Sequence, residues 1–205
     1  MNRFILKLAL LATPLMAWAQ EEPMPARSVF KVSPLHFFQN TMKVGLERFN
    51  KDHSGSFLIA IGGKMGRDEG SSNVSSYQGF SGELQLRKYV KPMQRNNTDA
   101  YYHGVFGALY AQGGSFSGEA TEDGYRTKEH IGNYGGGFMI GYQKTLWDVI
   151  FLEGYVGGGV QFADRVVKER DPASTSVFDV EYSGVLHPAF QGIMPKIGFT
   201  IGLAL

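Results

Sequence analysis

The chain has 205 residues with 20 Lys and Arg against 19 Asp and Glu, enough for one domain and without a basic field that would recruit nucleic acid. It contains no cysteine, which excludes a lipoprotein anchor, a disulfide framework and thiol chemistry. Glycine is plentiful at 27 residues and aromatics make up 13%, yet no apolar run beyond residue 20 approaches the roughly 18 residues of a membrane-spanning helix.

Residues 1–19 read as a secretory signal peptide: Arg3 and Lys7 give a positive start, Phe4 to Leu15 is apolar, and Ala17-Trp18-Ala19 fits a small-x-small cleavage site before Gln20. Without them the balance is 18 basic against 19 acidic residues, a formal charge of −1. Residues 20–205 then form the folded domain, opening on a polar, proline-containing lead, Gln20 to Ala26. Export leaves two homes for such a chain, a soluble β-barrel or sandwich and an outer-membrane barrel.

Period-two alternation marks the strands. Phe38, Met42, Val44 and Leu46 oppose Gln39, Thr41, Lys43 and Glu47, followed by a turn at 51–55. Phe57, Ile59, Ile61 and Met65 oppose Leu58, Ala60, Gly62 and Lys64, and residues 66–76 read as a polar loop. Phe80, Gly82, Leu84 and Leu86 oppose Ser81, Glu83, Gln85 and Arg87, followed by a turn at 91–98. Residues 100–112 form a strand with bulky groups on both faces and no evident orientation, and 113–130 read as a glycine- and charge-rich loop. In the hairpin 135–162, Phe138, Ile140 and Tyr142, then Ile150, Leu152, Val156, Val160 and Phe162, lie opposite glycine, Met139, Gln143, Glu153, Tyr155 and Gln161. After a polar loop at 164–176 and a mixed stretch at 177–191, the chain closes on Ile197, Phe199, Ile201, Leu203 and Leu205, opposite Lys196, Gly198, Thr200, Gly202 and Ala204.

Small residues opposite bulky stripes suit a narrow lumen inside a lipid-facing wall. Short connections after residues 50, 90 and 144 alternate with long ones after 66, 112 and 163, as in outer-membrane barrels. That parity requires a rising strand at 27–36 with a tight connection at 37–40. The expectation is an all-β fold: a single antiparallel up-and-down transmembrane β-barrel of about eight strands, at 27–36, 41–50, 56–65, 77–90, 99–112, 131–144, 149–163 and 193–205. A rival count makes 27–50 one strand and adds another at 177–190.

With about eight strands the interior is filled by side chains. Lys43, Glu47, Lys64, Glu83, Arg87, Glu153, Gln161 and Lys196 are the inward candidates, and charges in a narrow lumen need partners. A polar network of Lys43, Glu47, Glu83, Arg87, Glu153 and Lys196 is expected to plug the barrel and fix its register; the functional counterpart is a gated ion path. Tyr89, Tyr101, Tyr102, Trp147 and Tyr155, near strand ends or turns, are candidates for an interfacial aromatic girdle. No catalytic motif, cofactor-binding residue or metal-ligand spacing appears, and no cofactor is expected. Glu119, Glu122, Asp123, Glu129 and His130 crowd one stretch, where a solvated surface is the plainer reading than a cation site.

The strand FKVSPLHFFQNTMKVGLERF, the turn KDHSGSF, the hairpin GFMIGYQKTLWDVIFLEGYVGGG and the closing PKIGFTIGLAL together resemble the small outer-membrane β-barrel proteins common in Bacteroidetes, OmpA/OmpX-like barrels classed as domains of unknown function. The resemblance covers nearly the whole chain after residue 19 and implies no catalytic activity. In that group Pro34-Leu35 would lead into a strand ending near Glu47, and a terminal aromatic is read by the barrel-assembly machinery; here Leu205 stands at that place, with Phe199 the nearest aromatic.

Three functions compete. The first is a non-enzymatic, monomeric integral outer-membrane barrel whose partners are outer-membrane lipid, the assembly machinery and an extracellular partner of unknown identity, met through surface loops 113–130 and 164–192. The second is a lipid A-modifying barrel enzyme using His130 beside Glu129 or His187 near Ser183. The third is a soluble lipocalin-like binder with an apolar lumen.

Overall fold

The computed structural model describes residues 27–34, 41–69, 73–90, 94–95, 102–122, 125–147, 149–169 and 191–205. Its strands are β1 (Ser28–Val32), β2 (Thr41–Phe49), β3 (Gly55–Glu69), β4 (Asn73–Tyr89), β5 (Gln94–Arg95), β6 (Tyr102–Glu122), β7 (Tyr125–Leu146), β8 (Ile150–Glu169) and β9 (Gly192–Ala204). β5 is a two-residue ribbon beside β6; the other eight pair with their neighbours, all antiparallel. Pairing of β4 with β6 and of β1 with β9 closes the ring. The fold is an eight-stranded up-and-down barrel, and closure leaves no edge along the paired length.

Separate β1 and β2, joined in the register Ser28 to Arg48, select the first strand count over a single strand at 27–50. The tight connection at 37–40 and the rival strand at 177–190 lie outside the described residues. Three expected loops are partly strand. β3 continues to Glu69 and β4 begins at Asn73, β8 runs to Glu169, and residues 113–122 and 125–130 belong to two long paired strands in which Glu122 pairs with Tyr125. There the outward residues lose their apolar character, so the alternation fades while the backbone ladder continues.

The wall is uneven. β6, β7 and β8 have 21, 22 and 20 residues, whereas β1 and β2 have 5 and 9. One end of the barrel therefore carries tall hairpins, and the opposite end carries the short turns and the last residue. At that turn end Gly55 N–H donates to Asn50 Oδ1 at 3.1 Å, and Ser54, through its hydroxyl and its N–H, holds the Asp52 carboxyl below its ordinary value. Trp147 turns the chain from β7 toward β8 at φ 52°, a left-handed conformation uncommon for a bulky residue.

Side chains sort by parity. Along β6, which had no evident orientation, Val105, Leu109 and Ala111 point out while Phe106, Ala108 and Tyr110 are buried inside. Where β7 and β8 cross the middle of the barrel, Gly137 stands opposite Gly159 and Phe138 opposite Gly158. A Cβ at Gly137 would collide with the Gly158 carbonyl oxygen and the Gly159 Cα, both backbone atoms that cannot rotate away. We expect Gly137→Ala to lower stability by about 2–3 kcal/mol through overpacking. Gly63→Ala, at a site where a Cβ meets nothing within 4 Å, should be nearly neutral. Denaturant titration of the detergent-solubilised variants measures both.

Candidate functional site: the charged lumen

The inward row of β4, Glu83, Gln85, Arg87 and Tyr89, lies along the lumen with each side chain at most 4% exposed. Opposite strands supply what this row needs. Arg87 presents a fork to Glu153 on β8: Nη1 donates to Oε2 at 2.5 Å and Nη2 to Oε1 at 3.0 Å. Nη1 also reaches Glu47 Oε1 on β2 at 3.2 Å. Lys31 on β1 completes the group by pairing with Glu153, with Glu47 Oε2 at 2.5 Å and with Gln143 Oε1 at 2.9 Å. Ser56 Oγ donates to Glu47 Oε1 at 2.5 Å, and the Tyr89 hydroxyl donates to Gln143 Oε1 at 3.2 Å.

A second group lies toward the tall end. Glu83 Oε2 accepts from Lys43 Nζ at 2.5 Å and from Lys196 Nζ at 2.8 Å. Lys196 Nζ also donates to Gln112 Oε1 at 2.9 Å and sits 3.8 Å from the centre of the Tyr110 ring. Gln85 joins the two groups: its Nε2 donates to Glu83 Oε1 at 2.5 Å, and its Oε1 accepts from Arg87 Nε at 2.7 Å. Such a chain of charge-assisted bonds compensates groups whose burial alone would cost several kcal/mol each.

Below the charges, at the turn end, the lumen is filled by rings. Phe49 stacks on His53 at 5.4 Å between centroids and packs against Tyr89 and Phe151 at 5.9 and 6.2 Å. Phe106 packs on Tyr89 at 5.6 Å and lies under the Arg87 guanidinium at 4.6 Å. Charges and rings together occupy the cross-section, as the diameter of an eight-stranded barrel dictates.

Lys43, Glu47, Glu83, Arg87, Glu153 and Lys196 thus all face the lumen and meet one another in two linked groups. Lys31, Gln85, Gln112 and Gln143 join them, beyond the six residues expected from the sequence. Lys31 was legible only weakly, because β1 is five residues long and too short to establish a period.

The aromatic girdle needs correcting. Tyr89 and Tyr155 are 2% and 7% exposed and point into the lumen, because they continue the inward rows that begin at Glu83 and Phe151. Trp147 is 75% exposed on the outside, and Tyr101 lies outside the described residues. The pairing of His130 with Glu129 also fails, since adjacent strand residues face opposite sides. Instead His130 meets serines of β6, with Ser117 Oγ 3.0 Å from Nδ1 and Ser115 Oγ 3.4 Å from Nε2. His187 and Ser183 lie outside the described residues. No group of three or more metal-ligating side chains occurs among the described residues.

Glu153→Ala leaves Arg87 and Lys31 short of a buried counter-charge, and we expect it to destabilise the barrel by about 3–5 kcal/mol. Arg87→Met combined with Glu153→Leu should recover at least half of that loss. Unfolding midpoints in detergent of Glu153→Ala and of Arg87→Met, Glu153→Leu and their combination, the last three analysed as a double-mutant cycle, test the expectation.

No protein-family model matches the chain, and no curated protein matches it. Among solved structures it is similar to the crystal structure of Acinetobacter baumannii CarO, with 9% identity, coverage of 91% of this chain and 100% of that one, and a TM-score of 0.35. That overlap is too loose to transfer fold or function.

Proposed function

We propose that the chain is a non-enzymatic integral outer-membrane β-barrel, exported by a signal peptide at residues 1–19, with a plugged lumen and a surface-interaction role at its tall end. One observation carries this reading: the polarity is inverted relative to a soluble barrel. Ion pairs fill the inside, while Met42, Ile61, Phe80, Leu109, Phe138 and Ile197 stand 60–77% exposed around the outside. An apolar surface that encircles a closed barrel is far larger than a soluble monomer carries.

The height of the belt agrees. On β4 the outward row Phe80, Gly82, Leu84 and Leu86 is bounded by exposed Gln78 and Lys88. About ten residues at about 3.4 Å each, tilted by about 40°, span about 26 Å, against an apolar band of about 25 Å on membrane barrels. The inverted polarity also disfavours the lipocalin-like reading, which needs apolar stripes inside. In this setting Trp147 is an interfacial anchor and the tall hairpins face outward, available to an extracellular partner. Outer-membrane lipid and the barrel-assembly machinery are the partners of a monomer. The kinship with Bacteroidetes barrels rests on the sequence patterns quoted above.

A second reading has one observation in its favour. His130, Ser115 and Ser117 form a hydrogen-bonded trio on the outward side of the β6–β7 hairpin, beyond the belt, where a histidine could activate a serine toward a lipid ester. Among the described residues no acid hydrogen-bonds His130, and the ladder already uses the backbone N–H groups that would form an oxyanion hole.

Membrane fractionation followed by electrophoresis of unboiled samples tests the first reading. The protein should be found in the outer-membrane fraction and migrate differently before and after boiling. A soluble periplasmic band would refute the proposal. For the second reading, His130→Ala and Ser117→Ala should leave the lipid A profile unchanged if the barrel is non-enzymatic.

A further inference from the structure

Within the linked ionic cluster the charges do not balance. The ion pairs join four cations, Lys31, Lys43, Arg87 and Lys196, to three carboxylates, Glu47, Glu83 and Glu153. The linked cluster therefore carries one positive charge more than its carboxylates offset. An uncompensated charge in so narrow an interior is costly, and a counter-ion is the direct remedy.

A cavity of about 20 Å³ lies where that remedy is needed, walled by Lys31, Lys43 and Arg87 together with Ser33, Tyr155 and Thr200. It has room for one small particle. Three cations line it and no carboxylate does. Its polar wall also has donors to spare. Lys43 Nζ donates to Glu83, and its other two N–H bonds find no acceptor among the described residues. Thr200, 6% exposed, has a buried hydroxyl with no hydrogen-bond partner. Three cations on its wall, an excess of donors and a single-particle volume suit a small monovalent anion.

We propose that this cavity is a buried halide site, with Lys43 Nζ and the Thr200 hydroxyl as direct donors and Lys31 and Arg87 supplying the field. Chloride is the occupant of the right charge and size; gluconate and other bulky anions are excluded by volume. Bound there, the ion neutralises the cluster and stabilises the closed barrel by mass action.

The test uses the full barrel in detergent micelles. Crystals grown in sodium bromide should give one anomalous peak in the cavity, within hydrogen-bonding reach of Lys43 Nζ. Thermal midpoints should rise with chloride concentration relative to gluconate at equal ionic strength. Lys43→Gln, which neutralises the excess charge, and Thr200→Val, which removes a donor, should each abolish that difference. Absence of a bromide peak from the cavity, equal midpoints in the two salts, or an unchanged chloride dependence in the folded variants would each overturn the proposal. The site depends on lumen geometry rather than on location, so a soluble barrel that bound bromide would refute the membrane reading while leaving this one intact.

Discussion

Four strands on different sides of the ring send charged side chains to one place in the lumen: Lys31 from β1, Glu47 from β2, Arg87 from β4 and Glu153 from β8. A buried charge without its partner is among the costliest defects a protein can contain, so the four contributions must arrive together. Side chains alternate faces along a strand, and a one-residue slip of any of these four would move its charge to the apolar outside. Backbone ladders are indifferent to such slips. The ionic cluster is what distinguishes the native register from its neighbours, and the rest of the barrel follows from that choice.

With the register chosen, space decides the composition of each face. The lumen must hold two polar groups and a cluster of rings, so neighbouring inward positions are small: Gly45, Ala60 and Gly62 on β2 and β3, and Gly157 and Gly159 on β8. Phe106 and Phe151 fit inside because they lie at the turn end, below the charges, where Phe49 and Tyr89 already form an apolar floor. Outward positions have no such limit and carry bulky residues. Arg87 is held by Glu153, Glu47 and Gln85 at once, and aromatic packing lies directly beneath it.

Period two was enough to read most of this from the chain. The rows Glu83-Gln85-Arg87 and Phe138-Ile140-Tyr142 are long and unambiguous, and the lumen charges fell on the inward side because parity put them there. The same rule, carried two residues further, places Tyr89 and Tyr155 inside; the preference of tyrosine for interfaces pointed the other way, and strand geometry won. Parity was silent on β6, where Phe106 and Tyr110 are as bulky as Val105 and Leu109, because partners on distant strands decide which bulky residue is buried. It was silent again beyond residues 66, 112 and 163, where polar side chains on both faces leave no stripe. Nothing local marks a ladder of that kind, since its strands are specified by the strand alongside.

The uneven wall follows from the same physics applied to the outside. On β7 the outward row changes from Phe138 and Tyr134 to Gly132 and His130, and on β6 from Leu109 and Ala111 to Ser115 and Ser117. On β8 it changes from Val160 and Phe162 to Asp164, although exposed Val166 stands beyond that point. Tyr134 and Phe162, stacked at 5.4 Å on the outer surface, mark the crossing. Below that line the exterior is apolar; above it the same strands continue with an exterior suited to water. Strands that only had to span the belt could have stopped at the line. The longest ones, β6, β7 and β8, adjoin one another, so their extra length forms one continuous paired platform instead of scattered loops. A projecting platform is suited to presenting side chains, and this is the feature of the barrel that the proposed membrane insertion alone leaves unexplained.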